Sequence, residues 1–241
     1  ENNDNSSIWY PVHAFLELHI EQGPVLEQQN CPIGIVTAIA AQTRFHVTIE
    51  GCADHSGNTP MGMRQDALVA ASELVVGVEQ IAVNQAGRDT VATVGYLDVK
   101  PGAMNVIPGR VELGIDIRDI RMDDKAIAVQ KVLNLLETIQ VKRRVSITYE
   151  QLCNDVPVRL ADKIIDLLEE SALALGLPYR KMPSGAGHDA MNMARITEAG
   201  MIFIPSVGGI SHNVSEYSRM EDICTGAELL LQATLKLSAI A

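Results

Sequence analysis

The chain has 241 residues, of which 47% are hydrophobic and 20% charged, an ordinary globular balance with enough apolar material for one large or two modest cores. Its formal net charge of −11 argues against a surface built to neutralise phosphates or anionic lipid, which needs clustered Lys and Arg, so neither nucleic acid nor a membrane is expected as a partner. No apolar run reaches the ~18 residues that span a bilayer, and the polar start from Glu1 to Ser7 has neither the basic nor the apolar segment of a signal peptide. The expected location is therefore cytoplasmic. Cys31, Cys52, Cys153 and Cys224 are far apart and form no C-x-x-C pair, which reads as reduced, structural thiols. The absence of an initial Met suggests a processed, truncated or fragmentary chain.

In chain order, residues 33–40 form a short apolar strand, and residues 44–51 alternate Phe45, Val47 and Ile49 with polar partners, as a half-buried strand does. Residues 63–86 place Leu68, Ala71, Leu74, Val75, Val78 and Ile81 at helical spacing, with Gly87 as the stop signal. A second strand over 90–99 ends near Pro101-Gly102, and a third over 110–119 alternates Val111, Leu113, Ile115 and Ile117 with Glu112, Asp116 and Arg118. The spacing predicts a helix over 123–141 and a closing strand over 144–152. That order, β-α-β-β-α-β, predicts a ferredoxin-like layer, a self-contained domain over residues 43–152. Amphipathic helices over 160–175 and 222–237 and a buried strand over 201–205 belong with the N-terminal segment. The simplest organisation is a small domain inserted into a larger α/β domain made of residues 1–42 and 153–241.

Histidines in four contexts could carry chemistry. In E-L-H-I-E-Q-G-P, a strand would aim Glu17, His19 and Glu21 one way, and three such groups can hold a divalent metal; a solvated edge strand explains the pattern as well. His212 stands in the glycine-rich V-G-G-I-S-H-N after an apolar strand, where α/β proteins place ligand-binding groups and where Gly208 and Gly209 permit close backbone approach; a plain turn is the alternative. His188, in S-G-A-G-H-D-A, either orients something or caps a helix. His55, in D-H-S-G-N-T-P-M, sits at a strand-to-helix junction, although turn chemistry alone accounts for the composition. His13 and His46 read as structural. Arg118 shares a strand face with Asp116, which makes an ion pair the default and a two-pronged clamp on a substrate carboxylate the sharper option. Asn105 could add an amide donor or simply shape its turn.

Taken in order, L-H-I-E-Q-G-P-V-L-E, G-x-A-D-H-S-G-N-T-P-M-x-x-R-x-D-A, N-V-I-P-G-R-V-E-L-x-I-D-I-R, S-G-A-G-H-D-A and P-S-x-x-G-I-S-H-N-x-x-E resemble the hydantoinase/carbamoylase family. Its members include N-carbamoyl-L-amino acid hydrolases and allantoate amidohydrolases. The resemblance covers nearly the whole chain from about Phe15. It implies a zinc-peptidase-like α/β catalytic domain holding two divalent ions, Zn or Mn, and interrupted by a lid that also forms a homodimer. It implies His19 and His212 as terminal ligands of the two metals and His55 as the donor that stabilises the oxyanion in the neighbouring subunit. Asn105 and Arg118 would hold the carboxylate of a small ureido substrate, Gln22, Gly208 and Gly209 would line the pocket, and His188 would support the ligands from behind.

The expected activity is hydrolysis of a C–N bond in an N-carbamoyl-L-amino acid or a ureido acid such as allantoate. The family's H-x-D segment, bridging aspartate and paired glutamates precede the L-H-I-E-Q-G motif, and none of the eighteen residues before His19 fits them. Stable sites use three or four protein ligands per metal, so a chain complete at this length is expected to bind metal poorly and to be inactive alone. The alternative expectation is a catalytically silent dimerisation or ligand-binding module of the same fold.

Overall fold

The computed structural model describes residues 12–84 and 86–240. Along the chain the elements are β1 (Ala14–Ile20), α1 (Val25–Gln28), β2 (Ile33–Ile39), β3 (Ala41–Glu50), β4 (Asp54–His55), α2 (Ala67–Asn84), β5 (Val91–Lys100) and β6 (Val106–Ile107). They continue with β7 (Arg110–Asp119), α3 (Met122–Arg143), β8 (Ser146–Asn154), β9 (Val158–Arg159), α4 (Asp162–Ala174), β10 (Tyr179–Ser184), α5 (Asp189–Met193), β11 (Glu198–Ile204) and α6 (Met220–Ile240). Packing divides them into one unit made of the chain up to Ile39 and from Val158 onward, and a second made of Ala40–Pro157.

In the first unit the strand order is β1-β11-β2-β10, with β9 on β2. β1 runs parallel to β11, and β2 parallel to β10. Ile33, Ile35, Val36 and Ile39 of β2 and Met201, Ile202, Phe203 and Ile204 of β11 are buried on successive positions, so both strands are covered on both faces, and this is why they read as unbroken apolar runs. Buried residues of α4 and α6, among them Ile164, Leu168, Leu229 and Ala233, complete this core. Gly200 lets α4 approach the sheet, since a Cβ there would lie 2.1 Å from Ile164 Cγ2.

The second unit is an antiparallel sheet in the order β5-β7-β3-β8 with α2 and α3 packed on one face. Phe45, Val47, Ile49, Val111, Leu113, Ile115 and Ile117 meet Ala70, Leu74 and Val78 of α2 and Ala128, Val132 and Leu136 of α3. The intervening positions of β3 and β7 face away from that core, which reproduces the period of two in the sequence. A separate ribbon pairs β4 with β6.

One expectation is corrected here. α2 spans 18 residues with mean hydropathy 1.4, long and apolar enough by composition to cross a bilayer. Its Ala67, Ala70, Ala71, Leu74, Val78 and Ile81 are buried in this unit's core, and Glu73 on the same helix is paired with Lys142 at 2.9 Å and with Arg143. The apolar residues thus serve a packed core helix. All four cysteines are free thiols.

Candidate functional site

In the first unit, β1 places Glu17 and His19 two residues apart, hence on one side of the strand. The loop after β10 brings His188 to them as the residue that precedes α5. Ligand atoms of Glu17, His19 and His188 all lie within 4.8 Å of one another. Glu17 Oε2 accepts the Ala190 N–H at 2.7 Å, so the first turn of α5 fixes the carboxylate, while Oε1 lies 3.9 Å from His188 Nδ1. The His19 and His188 rings meet edge to face, 4.6 Å between centroids, and Phe203 packs against both.

Hydrogen bonds determine which ring nitrogens are available. His19 Nδ1 is 2.7 Å from the Ile20 carbonyl, an acceptor only, so Nδ1 carries the proton and Nε2 keeps its lone pair. His188 Nε2 is 2.7 Å from Ser184 Oγ, which also bonds the Ala186 carbonyl at 3.1 Å. Because that hydroxyl's proton goes to the carbonyl, it accepts from His188 Nε2–H and leaves Nδ1 as a ligand atom. Burial, reinforced by the neighbouring His19 and opposed by Asp189, lowers the His188 pKa to about 4, which keeps the ring neutral at ordinary pH. Two imidazole nitrogens and one carboxylate are a donor set that suits a divalent metal ion.

Glu21 leaves this face. β1 ends at Ile20, and the Glu21 carboxylate turns to accept Val25 N–H at 2.8 Å and Leu26 N–H at 2.7 Å, closing the N-terminus of α1. The next residue, Gln22, adopts φ 59, and its Nε2 donates to Ser211 Oγ at 2.9 Å. Gln22 follows β1 and the 206–212 loop follows β11, so two adjacent parallel strands deliver both segments at their C-terminal ends, where α/β sheets place ligand sites. In that loop Gly208 and Gly209 both have φ 65. The Gly208 N–H donates to Glu27 Oε2 at 2.7 Å, and a Cβ on Gly209 would stand 2.8 Å from Pro24 N. Glycine is required there for both reasons. His212 lies on this loop with φ 55, separate from the three-residue group.

The second unit carries the other expected residues. Pairing of β4 with β6 sets His55 opposite Val106, and Ser56 N–H donates to the Asn105 carbonyl at 3.1 Å, so the His55 and Asn105 loops form one ribbon. Backbone N–H groups of Gly57 and Asn58 donate to His55 Nδ1 at 3.0 and 3.3 Å. The His55 proton therefore sits on Nε2, as a donor. Arg64, through Nε to the Thr59 carbonyl at 3.0 Å, holds the loop. Arg118 on β7 is bonded to Asp116 through Nε at 2.8 Å and Nη2 at 3.2 Å, and Arg44 Nε reaches the same carboxylate at 2.7 Å. Burial pushes the Asp116 carboxyl up, but the hydrogen bonds from Arg118 and Arg44 outweigh it and hold the group below its ordinary range. His46 bonds Tyr96 Oη at 2.6 Å on the same open sheet face.

Ser184, Ser211 and Glu216 lie inside the motifs S-G-A-G-H-D-A and P-S-x-x-G-I-S-H-N-x-x-E, but no role was legible for them there, because they act through contacts across loops that carry no spacing signal.

The donor geometry, the glycine loop and the strand-end location together make this a candidate metal-binding centre. Residues 7–236 match the model of peptidase family M20/M25/M40, and the chain belongs to that family. Within it, the similarity runs to hydantoinase/carbamoylase amidohydrolases. Ureidoglycolate hydrolase from Arabidopsis thaliana is 44% identical over 242 residues, 99% of this chain and 51% of the relative. An N-carbamoyl-L-amino-acid amidohydrolase from Paenarthrobacter aurescens is 39% identical over 221 residues, 92% of this chain and 53% of the relative. The crystal structure of a hydantoinase/carbamoylase-family amidase from Burkholderia multivorans matches with a TM-score of 0.91 at 38% identity, covering 94% of this chain and 55% of that one. The chain thus spans about half the length of the relatives it matches.

Proposed function

We propose that this chain supplies part of the machinery of a metal-dependent amidohydrolase that cleaves the C–N bond of an N-carbamoyl-L-amino acid or a ureido acid such as allantoate or ureidoglycolate. Water adds across the bond, and the products are the amine, carbon dioxide and ammonia. The observation that carries this reading is the Glu17, His19 and His188 group. Relatives named for hydrolysis of ureido compounds support the substrate class.

Glu17, His19 and His188 would hold one divalent ion, and His212, following the resemblance, would serve a second. A bound ion lowers the pKa of its water and polarises the scissile carbonyl. The protein's own groups do the rest. His19 Nε2 and the neutral His188 Nδ1 present lone pairs, and the Nε2–H of His55, following the resemblance, would act in the neighbouring subunit's site as the donor for charge developing on the carbonyl oxygen, an effect worth a few kcal/mol in comparable sites. Asn105 and Arg118 orient the substrate carboxylate, and Gln22 with the Gly208 and Gly209 backbone lines the pocket. In this reading residues 43–152 form a ferredoxin-like lid that also makes a homodimer, and residues 1–42 with 153–241 belong to the catalytic domain.

One observation favours the silent-module reading. The Arg118 fork is already bonded to Asp116, so a substrate carboxylate has to share or displace that partner. Assay, with Zn²⁺ or Mn²⁺, of the whole protein that contains this chain separates the two. Ammonia release from N-carbamoyl-L-amino acids, ureidoglycolate or allantoate, abolished by His19→Ala, is the expected result; metal-replete protein that releases no ammonia from any of them would overturn it.

A further inference from the structure

We infer that Glu216 is a positioning residue whose carboxylate fixes the backbone of His212 and, through Ser211, the side chain of Gln22. The inference rests on the roles proposed above for His212 and Gln22 and goes beyond them by naming the group that orients both.

Among the described residues, four other than glycine have positive φ: Gln22, Asn30, Arg144 and His212. Two of the four are candidate site residues. A Cβ disfavours that conformation, and it persists where the surroundings over-determine it. Glu216 supplies the determining contact for His212: its Oε2 accepts the His212 N–H and the Ser211 hydroxyl, each at 2.9 Å. With its proton committed to Glu216, Ser211 Oγ is left to accept, and it does so from Gln22 Nε2 at 2.9 Å. Ser206 Oγ takes the Gln22 backbone N–H at 3.1 Å. A single chain of donors therefore runs from Gln22 through Ser211 to Glu216, and His212 ends on the same oxygen.

Glu216 is itself anchored. Its N–H donates to the Asn213 carbonyl at 2.9 Å, the adjacent Tyr217 carbonyl accepts Val207 N–H at 2.9 Å, and the Ser218 hydroxyl donates to the Pro205 carbonyl at 2.7 Å. The loop is thereby tied back to the end of β11. Both Glu216 and His212 are exposed. A surface glutamate in that setting is ordinarily solvated, yet one oxygen here serves two protein donors. The ionised carboxylate makes those bonds charge-assisted. A glutamine keeps the acceptor oxygen at the same reach, whereas alanine removes it.

The test compares the full chain with Glu216→Ala, Glu216→Gln, Ser211→Ala and His212→Ala. Without metal, Glu216→Ala should speed amide exchange at His212 about ten-fold, move its Cα resonance, and shift the Gln22 side-chain amide signals, at an unchanged melting temperature. Glu216→Gln should restore most of this, and Ser211→Ala should move the Gln22 signals while sparing His212. In a calorimetric Zn²⁺ titration, Glu216→Ala should weaken binding about ten- to a hundred-fold, matching His212→Ala. Unchanged exchange at His212 and unchanged Gln22 signals in Glu216→Ala would overturn the inference. If those signals move but His212→Ala leaves zinc affinity intact, positioning stands and the ligand reading of His212 fails. Loss of zinc in His212→Ala alone, with Glu216→Ala normal in every readout, sinks the inference and spares the reading.

Discussion

The central strands of the two sheets solve the same problem in different ways. β2 and β11 are buried at almost every position, whereas β3 and β7 alternate between a packed helical layer and an open face. A strand enclosed on both sides has no face to spare for chemistry, so polar groups are pushed to strand ends, to the half-exposed β1 and to loops. Glu17, His19, Gln22, His188 and His212 all sit there. An open sheet face admits polar side chains along its length, and the second unit fills it with two ionic groups, Arg44 and Arg118 on Asp116, and Arg110 on Glu50 and Glu112.

The comparison can be broken most severely in the cores. Phe203 and Phe45 are 1% and 2% exposed, and truncation of either to alanine should cost about 3–5 kcal/mol in urea unfolding. Hydrogen exchange should show each loss confined to the unit that holds the substitution; a loss spread evenly over both would remove the distinction drawn here.

Acid should also act on the two units in sequence. His188 has a folded pKa lowered to about 4 from 6.5 by burial, so below 6.5 the unfolded chain binds the proton more readily. Stability from this group is complete above pH 6.5 and lost as pH falls toward 4, by up to about 3 kcal/mol. Glu73, lowered to about 2 from 4.5 chiefly by the hydrogen bond from Arg143, contributes above pH 4.5 and loses that contribution as pH falls toward 2. Its pairing with the exposed Lys142 limits the effect to about 1 kcal/mol. Acid titration of the chelator-treated protein, followed by exchange in each unit, checks the order; His188→Gln should erase the first phase.

A metal titration sharpens the contrast at the level of ligands. Removing Glu17, His19 or His188 singly should weaken Zn²⁺ binding by more than the roughly ten- to hundred-fold cost of losing a ligand's outer partner, and Arg118→Gln in the other unit should leave it unchanged. The smallest expected effect concerns Asp66, whose Oδ1 accepts Leu68 and Val69 N–H groups at 3.0 and 3.1 Å. Asp66→Ala should destabilise the second unit by about 1 kcal/mol in denaturant titration and leave zinc binding untouched.

Legibility in the sequence followed the same divide. Alternation marked β3 and β7 within a few residues, because a one-sided sheet writes its burial pattern directly into the chain. Helical spacing found α2, α3, α4 and α6, although the α2 boundary moved to Ala67 because Met61–Met63 forms a separate turn. β10, Tyr179–Ser184, was not legible: Arg180, Lys181 and Pro183 break both periods, and its pairing with β2 is a property of the tertiary structure. At the site, Glu17 and His19 were visible as a strand alternation. Glu21 was misread because the local stop signal, Gly23-Pro24, lies beyond the point where the strand ends at Ile20, and the approach of His188 depends on a loop distant in sequence.

The β2–β9 and β3–β8 pairings also bear on how the chain assembles. Ile39 pairs with Val158, Thr43 pairs with Asn154, and Gln42 and Asp155 are joined through backbone and side chain between them. A folded middle segment therefore hands over the two strands of the first unit as a narrow neck instead of the ends of a long floppy loop. Such a neck lowers the loop-closure entropy that the pairing of β2 with β11 has to offset. If the contiguous unit folds first, the group of Glu17, His19 and His188, which draws on segments from both sides of it in the sequence, is completed only afterwards, an order that pulsed hydrogen exchange checks.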